Sequence, residues 1–497
     1  MNKNVLLIFP KTGLDLQNIN IQMPMGLMCL AASLIKKGYN GVILDQRVEK
    51  DFYKKIKYYL CDKPICVGIS VMTGSQILYA LKIANFIRNN NAEVKIVWGG
   101  NHPSLMPEQT LQNETVDIVV RGEGEITFTE IVNNLFLKKK LKEIKGISFK
   151  DENIICHNSE REFCDLSELP RVDYSLIDIE KYIFSQVPGR KRSLDVYTSR
   201  GCPYNCIFCY NKSFNKSSYR IKDINMVIQE IDFLVKKYNL DSIYINDDNF
   251  FVDIKRIEYF CEYLSKKKII TEWGCQGVRI DALEKIDFSL LEKSRCRHLY
   301  IGIESGSEKI LNYINKQITV PQIKKIVNKF ANSSIIAHYN FMIGYPIETR
   351  EDLFQTIDLV DYIRQVDPKA YFSSFHLITP YPGTEFYDIA QKHGFKTPSN
   401  LKGWANIRWE FDDIAWISPK MRSLYINLTY ITYFIDHKVL VRTNKNIFLK
   451  IFTKMMIILA KFHWKHRKLK FCPEFKLLNK IINIKIAKDT RICKHQN

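Results

Sequence analysis

Arg200-Gly201-Cys202-Pro203-Tyr204-Asn205-Cys206-Ile207-Phe208-Cys209-Tyr210 carries three cysteines, with three residues between the first pair and two between the second. A zinc ribbon or a self-contained ferredoxin site needs four closely placed thiolates. The next cysteine along the chain is Cys261. Three thiolates on a cubane iron–sulfur cluster leave one iron without a protein ligand, and an open metal position is what a catalytic centre keeps for its substrate or co-substrate. The competing reading is a loop with three incidental buried thiols.

Strand patterns surround this loop. Six apolar runs, at residues 194–199, 242–246, 273–278, 299–304, 338–343 and 371–378, are spaced widely enough for intervening helices. They predict a partial (β/α)6 TIM-like barrel with its site at the carboxyl ends of the strands. Upstream, strand runs at 5–9, 41–45, 66–71, 94–98 and 116–120 alternate with helical stretches at 24–37 and 77–89. That alternation predicts a Rossmann-like parallel sheet, whose ligands bind beyond the carboxyl ends of the strands. Ser70, Thr73, the turn Gly99-Gly100-Asn101-His102-Pro103 and the segment Arg121-Gly122-Glu123-Gly124-Glu125 all fall there. The fold class read from these patterns is α/β. Its expected divisions are an amino-terminal α/β domain at 1–135, a connector at 136–190 with a hairpin at 145–157, the barrel at 191–395, and a mainly helical basic carboxyl-terminal region at 396–497.

Composition bounds the function classes. A chain of 497 residues that is 46% hydrophobic and 25% charged has the balance of ordinary globular domains. The amino terminus reads as a strand rather than a signal peptide, and no apolar run approaches the ~18 residues of a spanning helix. Thirteen cysteines in a chain this large, without an export signal, read as reduced thiols in a cytoplasmic setting. The net charge of +20 is concentrated at one end: residues 438–497 hold thirteen Lys and three Arg against one Asp and one Glu. There Lys450, Lys454, Lys461 and Lys465 fall on one stripe of a predicted helix, with Phe448, Ile451, Phe452, Met455, Leu459 and Phe462 expected on the opposite face. Such a helix either lies on an anionic membrane or packs on the barrel. RNA binding is the weaker alternative, since no single-strand-binding module is recognisable.

The cysteine spacing resembles the signature of the radical SAM superfamily, in which the free iron chelates S-adenosylmethionine. The resemblance implies a [4Fe-4S] cluster on Cys202, Cys206 and Cys209, with Phe208 against the adenine; loop packing is the alternative for Phe208. Glu304 and Ser305, in Ile301-Gly302-Ile303-Glu304-Ser305-Gly306, match the strand end that holds the methionine part of the co-substrate. Gln276 and Arg279 match a further contact, with a barrel-mouth salt bridge as the alternative for Arg279. Asp247 and Asp248 have three open readings: ribose binding, substrate orientation or helix capping. Two turns, 343–349 and 379–384, also match family motifs and read mainly as backbone-shaping elements. The aromatic stretch 404–416 is open between a cavity wall and core. The amino-terminal sheet is similar to the cobalamin-binding domain of one branch of these enzymes, which implies cobalamin contacts at Ser70, Thr73, Gly99, Gly100, His102, Gly122 and Glu123. The chain departs from the Asp-x-His-x-x-Gly element that supplies a cobalt ligand in many cobalamin proteins. Its corresponding loop reads Pro10-Lys11-Thr12-Gly13-Leu14-Asp15. Cobalamin bound without histidine ligation is therefore expected, with a degenerate domain as the alternative.

The resemblance covers about residues 1–395 and implies reductive cleavage of S-adenosylmethionine followed by methylation of an unactivated carbon. Oxidative cyclisation or another rearrangement is the alternative outcome. A methylthiotransferase would need a second three-cysteine site, which Cys29, Cys61 and Cys66 are too irregularly spaced to form. A non-enzymatic iron–sulfur carrier is the remaining competitor. The expected partners are a small-molecule or lipid-like substrate and an external electron donor such as flavodoxin or ferredoxin. Peripheral contact with the inner membrane surface through the basic tail is also expected, and nucleic acid is not.

Overall fold

Alternation along β1 (Asn4–Phe9) points Val5 and Leu7 to one face of the first sheet and Leu6 and Ile8 to the other, and all four are buried. A strand buried on both faces belongs inside a parallel sheet covered by helices. The computed structural model, which describes residues 3–13, 15, 21–152, 154–267, 271–407, 415–435 and 447–478, builds that sheet from β1, β2 (Asn40–Asp45), β3 (Cys66–Ser70), β4 (Lys95–Gly99) and β5 (Ile118–Val120). These five are parallel, in the order β2-β1-β3-β4-β5. The order reverses between β1 and β3, which opens a crevice at their carboxyl ends. The hairpin expected in the connector is β6 (Ile147–Asp151) and β7 (Ile154–His157). It continues the first sheet antiparallel to β5 instead of standing between domains. Phe149 gives the reason, because its side chain joins the buried core.

The expected first barrel strand breaks in two. β8 (Ser193–Val196) enters the second sheet, whereas β9 (Ser199–Gly201) pairs antiparallel with β10 (Tyr219–Ile221) as a separate ribbon. The three cysteines lie in the loop that leaves this ribbon. The second sheet then runs through β11 (Ser242–Ile245), β12 (Glu272–Val278), β13 (Cys296–Glu304), β14 (Ile336–Ile343) and β15 (Tyr371–Phe372), all parallel and in sequence order from β8. The last expected strand also divides, into β15 and β16 (His376–Leu377), both paired with β14. The product is a curled parallel half-barrel.

Helix starts are chemically marked. Thr349 and Asp352 form a capping box for Arg350–Val366, Thr319 and Gln322 another for Val320–Ala331, and Asp223 caps Ile224–Tyr238. Each such cap satisfies amide donors that the helix cannot reach, at about 1 kcal/mol. Behind the barrel, Trp273 is fully buried, with Phe250 and Phe260 edge-on to its ring and its Nε1 donating to the Ser294 carbonyl at 3.1 Å. The tail helix is Ile447–Lys465. It packs against Pro419–Ile435 through a face that includes Met456, Ala460 and Trp464. Among the described residues, no helix is long and apolar enough to cross a membrane.

Candidate active site

Three supports hold the cysteine loop. The Ile207 amide donates to the Ile314 carbonyl and the Phe386 amide to the Ile207 carbonyl, at 3.2 and 2.9 Å. Asp247, at the end of β11, accepts from the Thr198 amide and from the Thr198 and Ser199 hydroxyls at 2.5–2.7 Å. Asp248 accepts from the Gly201 amide at 2.9 Å. The paired acids therefore brace the strand that delivers the cysteines. Gly201 is required there: its φ is +85°, and a Cβ would stand 2.1 Å from the Ser218 carbonyl oxygen.

The thiols face cations and donors. Asn249 Nδ2 lies 3.6 Å from Cys202 Sγ, and Arg279 Nη1 lies 3.9 Å from Cys206 Sγ. Burial pushes the Cys209 thiol up to about 12 and also raises Cys202, so these thiols stay protonated until a metal displaces the protons. Among the described residues, only His463, Cys472 and Glu474 bring three such donor atoms within 4.8 Å of one another. Cys202, Cys206 and Cys209 do not all lie that close to one another. His463, Cys472 and Glu474 lie in the tail, where His463 already spans the Lys468 carbonyl and the Glu474 carboxylate at 2.7 Å each.

The remaining barrel residues divide by what they touch. Arg279, 5% exposed, spends its guanidinium on Asp281 at 2.9 Å and on the Lys316 carbonyl at 2.6 Å, and stacks 3.6 Å from the Tyr204 ring. It therefore clamps the cysteine loop, as the salt-bridge alternative anticipated. Glu304 ends β13 at φ +72° and accepts from Lys316 Nζ at 2.8 Å. Lys316 had no sequence signal; an isolated lysine after a short helix looks like any surface residue. Burial lowers its pKa, but the Glu304 carboxylate and the Cys206 sulfur outweigh this and hold it above the ordinary lysine value. Phe208 is half-buried, with Lys316 Nζ 5.8 Å from its ring centre. Gln276 is half-buried near the end of β12. Ser305 departs from expectation: it is fully buried, with its hydroxyl 3.1 Å from that of Thr356 on the following helix. It joins strand to helix.

A cavity of about 1160 Å³ opens between the two sheets, above the ~300–1,000 Å³ usual for small-molecule sites. Ser70, Gly99, Gly100, Gly122 and Glu123 line its first wall, and Ser199, Arg200, Tyr210 and Asp248 line the second. Tyr210 directly follows Cys209, so one space reaches from the glycine turns to the residues flanking the cysteine loop; Cys202, Cys206 and Cys209 are not among its described lining residues. At Gly100 (φ +99°) a Cβ would meet the Val71 carbonyl oxygen at 2.8 Å, so the turn packs against the end of β3 only with glycine there. No histidine is among the described residues that line it.

Two expected contacts are turned away from this cavity. His102 is fully buried, with its Nδ1 3.0 Å from the Thr73 hydroxyl and its ring 5.5 Å from that of Trp404. Burial pushes its pKa down to about 3. Thr73 and His102 thus form a structural pair, and Trp404 is core. Trp416 donates to the Gly344 carbonyl at 2.8 Å; residues 408–414 lie outside the described residues. Glu123 lines the cavity, but Arg200 and Arg220 each hold its carboxylate at 2.8 Å, while Arg200 also reaches Glu125 at 2.5 Å. This network ties the strand before the cysteines to the loop of the first sheet.

Comparison with known proteins agrees with both halves. Residues 196–360 match the family model of the radical SAM superfamily, and residues 20–132 match that of the B12 binding domain. An uncharacterized methyltransferase of Pyrococcus horikoshii is 30% identical over 446 residues, covering 88% of this chain and 94% of that protein. The anaerobic magnesium-protoporphyrin IX monomethyl ester cyclase of Rubrivivax gelatinosus is 28% identical, covering 80% and 70%. Among solved structures, the cobalamin-dependent S-adenosylmethionine radical enzyme OxsB with aqua-cobalamin bound superposes with a TM-score of 0.73 at 19% identity, over 97% of this chain and 75% of that one. At that identity the likeness concerns the fold.

Proposed function

The chain belongs to the radical SAM enzymes that carry a B12-binding domain, and from that premise we propose that it methylates an unactivated carbon of a small-molecule or lipid-like substrate. When bound, the reduced [4Fe-4S] cluster with S-adenosylmethionine supplies a 5′-deoxyadenosyl radical, and cobalamin supplies the methyl group. Cys202, Cys206 and Cys209 are the iron ligands in this reading, with Asp247 and Asp248 fixing the strand that presents them. Phe208 lies against the adenine, and Gln276 is a further polar contact near the same strand ends. Glu304 receives the co-substrate's ammonium group while Lys316 receives its carboxylate, a charge-assisted pairing for which both side chains already stand beside Cys206. Arg279 acts as a positioning residue through Tyr204 and the cysteine loop. Ser70, Gly99, Gly100 and Gly122 give a flat, side-chain-poor bed for the corrin and its tail. The Arg200–Glu123–Arg220 network closes one side of the cavity and excludes water. Electrons come from an external one-electron donor.

The observation that carries this reading is the continuity of the cavity from Gly100 to Tyr210, which lets one substrate meet chemistry from both walls. Anaerobic reconstitution with iron, sulfide, cobalamin, S-adenosylmethionine and a reductant tests it. Expected are 5′-deoxyadenosine and, in extracts of cells lacking the protein, a product that takes up label from methyl-labelled S-adenosylmethionine; Cys206→Ala abolishes both. 5′-Deoxyadenosine without label transfer would replace methylation by ring closure or rearrangement, the chemistry named for the Rubrivivax relative. Iron uptake with no 5′-deoxyadenosine would reduce the chain to an iron–sulfur carrier.

A further inference from the structure

The helix Ile447–Lys465 presents three faces. Thr453, Met456, Ala460 and Trp464 are buried and recur at the spacing of one helix side. That side is already used: Trp464 Nε1 donates to Asp361 at 2.6 Å, Arg467 reaches Asp358 and Asp361 at 2.8 Å each, and Asn427 Nδ2 donates to the Leu469 carbonyl at 2.9 Å. A second stripe is apolar and exposed. Ile451, Met455, Ile458 and Phe462, spaced four, three and four residues apart, are 60%, 49%, 68% and 46% exposed. Phe471 and Leu477 beyond the helix are 80% and 61% exposed. Lys454, Lys461 and Lys465, all exposed, fall on a third stripe. On a 100° wheel they border the apolar stripe directly instead of opposing it.

We propose that this surface docks the enzyme on an anionic lipid bilayer. The apolar stripe enters the boundary between headgroups and acyl chains while the bordering lysines reach the lipid phosphates, their methylene stems lying along the apolar layer. Charge decides the occupant. Between residues 447 and 478 Glu474 is the single acid against seven Lys, and His463 holds it at 2.7 Å. A second copy of the chain on this face would set lysine against lysine with no carboxylate between them. A polyanion such as RNA would meet the lysines and leave Ile458 and Phe471 in water. A bilayer with anionic headgroups satisfies both stripes. Lys468 Nζ, 5.6 Å over the Phe462 ring, shows the two features meeting at one side chain. This inference is independent of the chemistry in the cavity.

Flotation of the full-length protein with vesicles tests it. With vesicles of phosphatidylcholine containing about one-third phosphatidylglycerol the protein floats, and with phosphatidylcholine alone it does not. Ile458→Glu with Phe471→Glu, and separately Lys454→Glu with Lys461→Glu and Lys465→Glu, each lower the bound fraction roughly tenfold or more. Both variants keep the wild-type circular-dichroism spectrum and urea midpoint, which shows that they are folded. Absence of flotation, equal flotation on both vesicle types, or no loss in either variant overturns the proposal. A wild-type dimer that the Ile458→Glu and Phe471→Glu variant turns into a monomer overturns it in favour of a second copy. Displacement of the vesicles by RNA overturns it in favour of nucleic acid.

Discussion

Lys316 Nζ lies 2.8 Å from Glu304 Oε1, and their side chains are 7% and 9% exposed. The pair stands beside Cys206 and Phe208, and the Lys316 carbonyl also holds Arg279. One residue twelve places past β13 thereby fixes the end of that strand and the clamp on the cysteine loop. Ion pairs this deep resist the loss of one partner, because the other is left charged and unpaired.

Lys316→Met therefore keeps Cys202, Cys206 and Cys209 but removes both the proposed receptor for the co-substrate carboxylate and the counter-ion of Glu304. Iron content after reconstitution stays near wild type, while 5′-deoxyadenosine formation falls about a hundredfold, as expected for the loss of one charge-assisted contact of about 2–3 kcal/mol. Adding S-adenosylmethionine to the reduced variant no longer changes its cluster spectrum. Lys316→Arg retains part of that change. Iron loss equal to the loss of activity would reassign Lys316 to cluster assembly.

Gly100→Ala and Gly99→Ala separate backbone need from side-chain room. An alanine at 100 must hold φ near +99° with its Cβ 2.8 Å from the Val71 carbonyl oxygen, whereas at 99 the nearest atom is Val120 Cβ at 3.7 Å. Left-handed strain with a backbone clash costs on the order of 1–3 kcal/mol. Cobalamin retained after gel filtration, read from its visible absorbance, drops for Gly100→Ala and persists for Gly99→Ala.

Arg200→Gln leaves Glu123 its partner Arg220 but strips Glu125, whose side chain is 6% exposed, of the Arg200 ion pair. A destabilisation of about 2 kcal/mol follows, below that of a fully buried pair because Arg200 itself is 30% exposed. The lower urea midpoint comes with weaker cobalamin retention, since Arg200 and Glu123 both line the cavity. The double variant Arg200→Gln with Glu125→Gln recovers most of the midpoint.

Asp352 sets an acid limit. Burial would raise its carboxyl, but Lys309, Ser307 and the Thr349 cap hold it down at about 2. A depressed carboxylate contributes stability that is present above its ordinary value near 4 and lost as pH falls through about 2. The contribution is of order 2 kcal/mol. The urea midpoint of the metal-free chain should fall from pH 4 toward pH 2, and Asp352→Asn should flatten that fall while lowering the midpoint at pH 6.

The strands and the cysteine loop were legible because their signals are local. The apolar run at 5–9 and the carboxyl-end glycines follow from backbone geometry that neighbouring residues set among themselves. Side-chain roles that depend on a distant partner were not. Asp247 and Asp248 read as ribose ligands, substrate-orienting groups or caps until Thr198, Ser199 and Gly201 were beside them. His102 looked like a turn residue near a nucleotide until Trp404, three hundred residues on, closed over it. Ser305 sat in the right motif with its hydroxyl committed to Thr356.

From its order of residues alone this chain declared two nucleotide-scale α/β units and a trio of thiols with one metal corner to spare, since hydrophobic period and cysteine spacing are written within a few residues of each other. Only the folded molecule decided which polar groups remain available. Burial and partner choice are properties of three-dimensional neighbourhood, and they took Arg279, Glu123 and Thr73 into internal contacts while bringing Lys316 to the cysteines. The same folding used one side of the tail helix for packing and left its apolar stripe facing outward beside the lysines.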